Sequence, residues 1–224
     1  VYFPKFSHPD PTVERKSGFL PPTFSSSRNI GSSVTIPYFH VLSENKDITF
    51  KPKVFFNNEI VLQNEYRQEN KNSSHIADFG IASSDILSSK NNTKSHFFSN
   101  SKFELSNDFS NQSSIELNLE NVRNDEYLKV YKIESEQIDI DTNTLHSYLS
   151  FDTEKNDIEF YTSLEVYEDL AKDKQSRHEF IYPNYTLQKR ILSEKGNDIV
   201  LKSYGNQRKY DTNVYEGIII NDLE

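Results

Sequence analysis

The sequence predicts an all-β fold, the wall of an antiparallel, up-and-down transmembrane β-barrel, and three observations carry that expectation. Apolar and polar residues alternate with a period of two over stretches of strand length. Polar connectors of unequal length separate those stretches. The composition is polar yet rich in rings: only 34% of the 224 residues are hydrophobic, while 16 Phe and 13 Tyr need a surface to pack on. A barrel reconciles the two, because each strand gives half of its residues to a polar lumen and half to an apolar exterior.

In chain order, Ser32 to Leu42 is a weak alternation. Asp47 to Phe56 sets Ile48, Phe50, Pro52, Val54 and Phe56 against Asp47, Thr49, Lys51 and Lys53. Val61 to Gln68 is again weaker. Ser113 to Val122 places Ile115, Leu117 and Leu119 on one face and Glu116, Asn118 and Glu120 on the other. Asp157 to Tyr167 points Ile158, Phe160, Thr162, Leu164 and Val166 one way and Glu159, Tyr161, Ser163, Glu165 and Tyr167 the other. That run has about the length of a tilted membrane strand. Connectors are expected at Ser43 to Lys46, Asn57 to Glu59, Glu69 to Ser73, Ser88 to Thr93, Asn107 to Gln112, Lys172 to Arg177 and Gly205 to Lys209. A longer one runs from Asn124 to Asn143, with room for a short helix at Asp125 to Tyr131. Such inequality suits a barrel with short turns on one side and long loops on the other, and about a dozen strands are expected. Period two alone does not separate a lipid-facing wall from a soluble sandwich or a solenoid. That many strands are too many for one ordinary two-sheet domain.

Composition excludes several function classes. Without Cys there is no disulfide, thiolate zinc site, iron–sulfur cluster or cysteine nucleophile. The 25 Lys and Arg stand against 34 Asp and Glu, a net charge of −9 that argues against a nucleic-acid partner. Mean hydropathy is −0.74, and no apolar run approaches the roughly 18 residues of a membrane helix. No signal-peptide order is present. Ser and Asn make up roughly a fifth of the chain, which leans toward disorder; the aromatic content opposes it. A chain that begins at Val1 and contains no Met reads as a segment of a longer protein.

No catalytic constellation stands out, so neither an enzyme nor a cofactor is expected. His8, His40, His75, His96, His146 and His178 are scattered without metal-ligand spacing. The six Gly residues form no phosphate loop and no nucleophile elbow. Carboxylate pairs such as Glu168 with Asp169, or Asp139 with Asp141, arise by chance in so acidic a chain.

The most specific signal lies at the start. Tyr2, Pro4 and Phe6 precede Arg15, Lys16, Ser17, Gly18, Phe19 and Leu20, followed by Pro37, Tyr38 and Phe39. Asn45, Asp47, Thr49 and Pro52 come next, then Glu65, Tyr66 and Arg67. In order and spacing these residues resemble the outer-membrane lipopolysaccharide-assembly protein family, also called organic solvent tolerance proteins, from residue 1 to about residue 70. Tyr127 to Tyr131, Tyr167 to Leu170 and Tyr182 to Tyr185 are compatible with a degenerate continuation.

The resemblance implies that residues 1–16 are the end of a periplasmic β-jellyroll and its connector. Residues 17–224 would hold the N-terminal strands of the outer-membrane barrel, an incomplete wall with about a dozen strands of a larger one. It implies a protein of the cell outer membrane that inserts lipopolysaccharide into the outer leaflet, the glycan passing through the lumen and the lipid through a lateral gate. The implied partners are lipopolysaccharide, a plug lipoprotein in the lumen, outer-membrane lipids and, through the upstream jellyroll, a periplasmic lipopolysaccharide-bridge protein. Pro22 and Pro37 fall where the family places prolines in its first two strands, and a proline gives the ladder no N–H, so both are expected at the gate. The plainer alternative is that Pro22, after Pro21, breaks a turn before the strand. Arg15 to Leu20 is the junction motif that enters the first strand. A lumen lined by Glu116, Glu120, Glu159 and Glu165 would not attract an anionic glycolipid by bulk electrostatics. Two rivals stay open: a porin or receptor-type barrel, which shares the alternation but not the Ser-Gly-Phe-Leu junction, and a soluble glycan-binding β-protein.

Overall fold

The alternating runs become strands in a computed structural model that describes residues 15–27, 30–57, 59–83, 94–105, 112–192 and 198–223. Residues 1–14 of the expected jellyroll end and connector, with Tyr2, Pro4 and Phe6, lie outside the described residues, as do the connector at Ser88 to Thr93 and all but Gln112 of that at Asn107 to Gln112. In order the elements are β1 (Gly18–Phe19), β2 (Thr23–Ser27), β3 (Gly31–Thr35), β4 (Tyr38–Ser43), β5 (Lys46–Phe55), β6 (Ile60–Asn70) and β7 (Ser73–Ser83). They continue with β8 (Lys94–Leu105), β9 (Gln112–Val122), α1 (Tyr127–Tyr131), β10 (Thr144–Lys155), β11 (Ile158–Asp169), β12 (His178–Leu192), β13 (Asp198–Tyr210) and β14 (Tyr215–Leu223).

All fourteen strands join one antiparallel sheet, ordered β1, β4, β5 and then sequentially to β14, with β3 also pairing β5 and carrying β2. β1 and β2 are two pieces of the first run and β3 and β4 two pieces of the second, which gives the dozen runs expected. The sheet is not closed: among the described residues nothing pairs β14 with the first run. This is an incomplete, all-β barrel wall.

The two faces are inverted relative to a soluble protein. In β5, Asp47 and Thr49 are each 2% exposed and Lys53 8%, whereas Phe50 is 41% exposed and Val54 43%, and Phe56, just beyond the strand, 75%. The register carries this across the sheet. Lys53 stands beside Val61, Thr49 beside Glu65, and Glu65 beside Asp78 on the polar face; Pro52 stands beside Leu62, Leu62 beside Ile81, and Phe79 beside Phe97 on the apolar one. Leu119, Leu149, Leu164, Leu187 and Leu201 extend the exposed apolar belt through β9, β10, β11, β12 and β13.

The ends differ too. β4 to β5, β6 to β7 and β10 to β11 are joined by two residues each. At the other end lie residues 123–143 and 170–177. At the short end, Asn156 and Asp157 both take positive φ, 47° and 63°, as a tight two-residue hairpin requires. The run expected to start at Asp157 therefore starts at Ile158.

Two expectations are corrected. Ser32 to Leu42 is not one strand, because Ile36 and Pro37 interrupt it between β3 and β4. Gly205 to Lys209 is not a connector but the middle of β13. Its polar letters Asn206 and Arg208 pair with Asn184 and Ile181 on the polar face. Gly205 serves close approach rather than a turn, since a Cβ there would sit 2.6 Å from the Ile218 carbonyl oxygen.

Candidate functional site

Residues 15–20, expected as the junction motif, lead into and flank the first strand. Arg15 pairs with the buried carboxylate of Asp47 and lies 5.6 Å over the Phe39 ring. The Ser17 hydroxyl accepts from the Val41 N–H at 2.9 Å, and Phe19 meets Tyr38 edge to face at 5.0 Å. Gly18 and Phe19 pair with Phe39 and Tyr38. Lys16 and Leu20 are exposed.

Beyond Phe19 the ladder breaks. Pairing resumes only at Thr23 with Thr35, so Leu20, Pro21 and Pro22 face Ile36 and Pro37, one residue more on the first run than on the second. That count is a β-bulge, which unpairs and bends a strand. The Leu20 N–H donates to the Pro37 carbonyl at 2.9 Å, but Pro37 returns no N–H. One run further in, the Ile36 N–H donates to the Pro52 carbonyl at 3.2 Å, and Pro52 likewise returns nothing. Prolines thus occupy one level of the first three runs. Pro52 reads in the sequence only as one more member of an apolar face, because the level it shares with Pro37 depends on register.

The polar face carries a hydrogen-bonded wall rather than bare acid. Glu65 is reached by Lys51 at 2.8 Å and by Arg67 at 3.2 Å. Glu116 accepts from Tyr148 at 2.6 Å and from Asn100 at 2.8 Å. Glu165 is met by His146, Tyr167 and Asn184 within 3.0 Å. Partnered carboxylates of this kind soften the acidity that the composition suggested for this surface.

At the long-loop end, residues 123–143 fold back onto the polar face. Tyr127, Leu128, Tyr131 and Ile133 bury themselves against Phe55, Val61, Ala82, Phe98 and Val122, an apolar seat on an otherwise polar wall. The seat also supplies polar latches. Lys53 donates to the carbonyls of Tyr131 at 3.1 Å and Lys132 at 2.7 Å, and Gln63 to that of Glu134 at 2.9 Å. His96 bridges the Tyr127 hydroxyl at 3.2 Å and Asp78 at 3.1 Å. Gly80 makes room for that ring, since a Cβ there would lie 2.5 Å from His96 Cε1. Burial raises the Tyr127 phenol above its ordinary pKa, and the Asp78 charge adds to it. At the rim, the backbone N–H of His178 holds the Asp211 carboxyl below its usual range.

A sheet that is apolar where bare and polar where covered, with short turns at one end and long loops at the other, is the wall of a membrane-spanning β-barrel. Comparison with known proteins narrows the class. The chain is similar to LPS-assembly protein LptD of Cupriavidus pinatubonensis, 32% identical over 124 residues, which is 55% of this chain and 14% of that protein. It is 42% identical over 65 residues to LPS-assembly protein LptD of a Polaromonas species, 29% of this chain and 8% of that one. LPS-assembly protein LptD of Pseudomonas aeruginosa is 40% identical over 53 residues, 24% of this chain and 6% of that one. No family model matches. The resemblance read from the residues is borne out, and the chain spans no more than 14% of the length of these relatives.

Proposed function

We propose that this chain is part of the outer-membrane translocon that inserts lipopolysaccharide into the outer leaflet. The glycan would pass along the polar face and the acyl chains would leave through a lateral gate beside the first strand. One observation carries the reading: in a chain similar to LPS-assembly proteins, the run that forms the open edge is broken by Pro21 and Pro22 opposite Pro37. A proline returns no ladder bond, so this edge parts at a lower cost than a continuous one. The exposed apolar belt suits lipid contact and disfavours a soluble glycan-binding protein. The similarity to assembly proteins disfavours a porin or receptor.

On this reading the chain needs no covalent chemistry. It offers hydroxyl, amide and paired carboxylate groups to a glycan and a weak seam to acyl chains. Its partners would be lipopolysaccharide, a plug lipoprotein against the polar face and a periplasmic bridge protein upstream. Pro22→Ala with Pro37→Ala in the full-length protein tests the gate. Restored N–H donors should tighten the first two runs and lower the amount of surface lipopolysaccharide; unchanged delivery contradicts the gate.

A further inference from the structure

The segment 123–143 reaches across the sheet to the first run. The Lys132 ammonium donates to the backbone carbonyl of Ser26 in β2. Ile30, in the turn from β2 to β3, packs against the same apolar cluster that seats Tyr127, Tyr131 and Ile133. Among the described residues β2 pairs only with β3, so these contacts are a second hold on the last part of the first run. Lys132 is itself unusually fixed. It caps α1 in the left-handed region, φ 49° and ψ 59°, where a side chain is disfavoured, and its own carbonyl accepts from Lys53 at 2.7 Å. A residue stays in that region when its surroundings over-determine it.

The first run is therefore held at both ends by different means. At its start, Arg15 pairs with Asp47 and Ser17 bonds Val41. At its end, Lys132 and the Ile30 contact hold the β2–β3 hairpin. Between them lie Pro21 and Pro22, with no ladder pair from Leu20 to Pro22.

We infer that residues 123–143 form a strap, with Lys132 as its clasp, that holds the far end of the first run against the wall. While the strap is seated, the run gives way only at its prolines; when Lys132 lets go, the hairpin of β2 and β3 is free to move as a unit. The consequence for a lipid gate rests on the proposed function, but the clasp itself does not.

The test is hydrogen–deuterium exchange on the full-length protein in detergent. Lys132→Gly removes the ammonium while suiting the left-handed backbone, so the strap's own turn is favoured rather than broken. Exchange in residues 23–27 and 31–35 should rise roughly three- to tenfold, the range of one hydrogen bond of ordinary net strength. β9 to β12 should stay unchanged, and Lys132→Arg should restore the slow exchange. No change in the hairpin, or an equal rise across the wall, overturns the clasp. A rise confined to the hairpin with surface lipopolysaccharide unaltered supports the clasp and counts against the gate.

Discussion

Strands β5 to β9 and the first run share one sheet but are held by different means. β6 and β7 pair without interruption from Ile60 with Ser83 to Asn70 with Ser73, and an apolar seat with buried latches covers the polar face at one end. The first run has two pairs in β1, a gap at Leu20 to Pro22 and five in β2, with Phe19 77% and Phe24 78% exposed. The difference shows that a barrel wall is not uniformly strong. Rigidity comes from continuous ladders and from burial on the lumen side, where most barrel residues stay wet; give comes from subtracting N–H groups at an edge.

Three substitutions separate the two regimes. Phe98→Ala strikes the seat, where Phe98 is fully buried and stacks on His96 at 4.7 Å. A loss of about 3–5 kcal/mol is expected, read as a lower urea midpoint and faster proteolysis within residues 123–143. A midpoint close to that of the unaltered protein would mean that the seat is not structural. Lys53→Met keeps the length of the side chain but strips the donor from the carbonyls of Tyr131 and Lys132. About 1–3 kcal/mol should be lost, and a midpoint that does not fall would show water replacing the ammonium. Arg15→Ala acts at the edge, on a half-exposed side chain. Because Arg67 stays 3.4 Å from the same buried carboxylate, the substitution should cost about 1 kcal/mol and matter less at high salt; a large salt-independent loss would erase the contrast between edge and seat.

Much of the wall was legible in the sequence, because period two fixes which residues share a face whatever the sheet does next. Asp47 to Phe56 and Ser113 to Val122 divide into their two faces as read. The sign of those faces followed only when the polar side was found covered. Gly205 looked like a turn because a glycine amid polar letters has two causes, a positive φ or a crowded neighbour, and sequence does not tell them apart. At the candidate site, Pro22 and Pro37 were legible as residues that lack a donor. Pro52 and Lys132 were not, since their roles depend on register and on a contact between residues far apart in the chain. The proline-broken edge was therefore readable in part, and the contact of Lys132 with β2 not at all.

The most direct test of the central claim, that the apolar face meets lipid and the polar face meets water, uses spin labels on one strand. Leu149 and Asp152 in β10 are both exposed, on opposite faces of the sheet. Cysteines at these two positions, in the full-length protein reconstituted into bilayers, would carry the labels. A label at 149 should relax faster with oxygen, which concentrates in lipid, and one at 152 with a water-soluble nickel chelate. Equal responses to the two reagents, or the reverse pattern, would contradict the barrel wall.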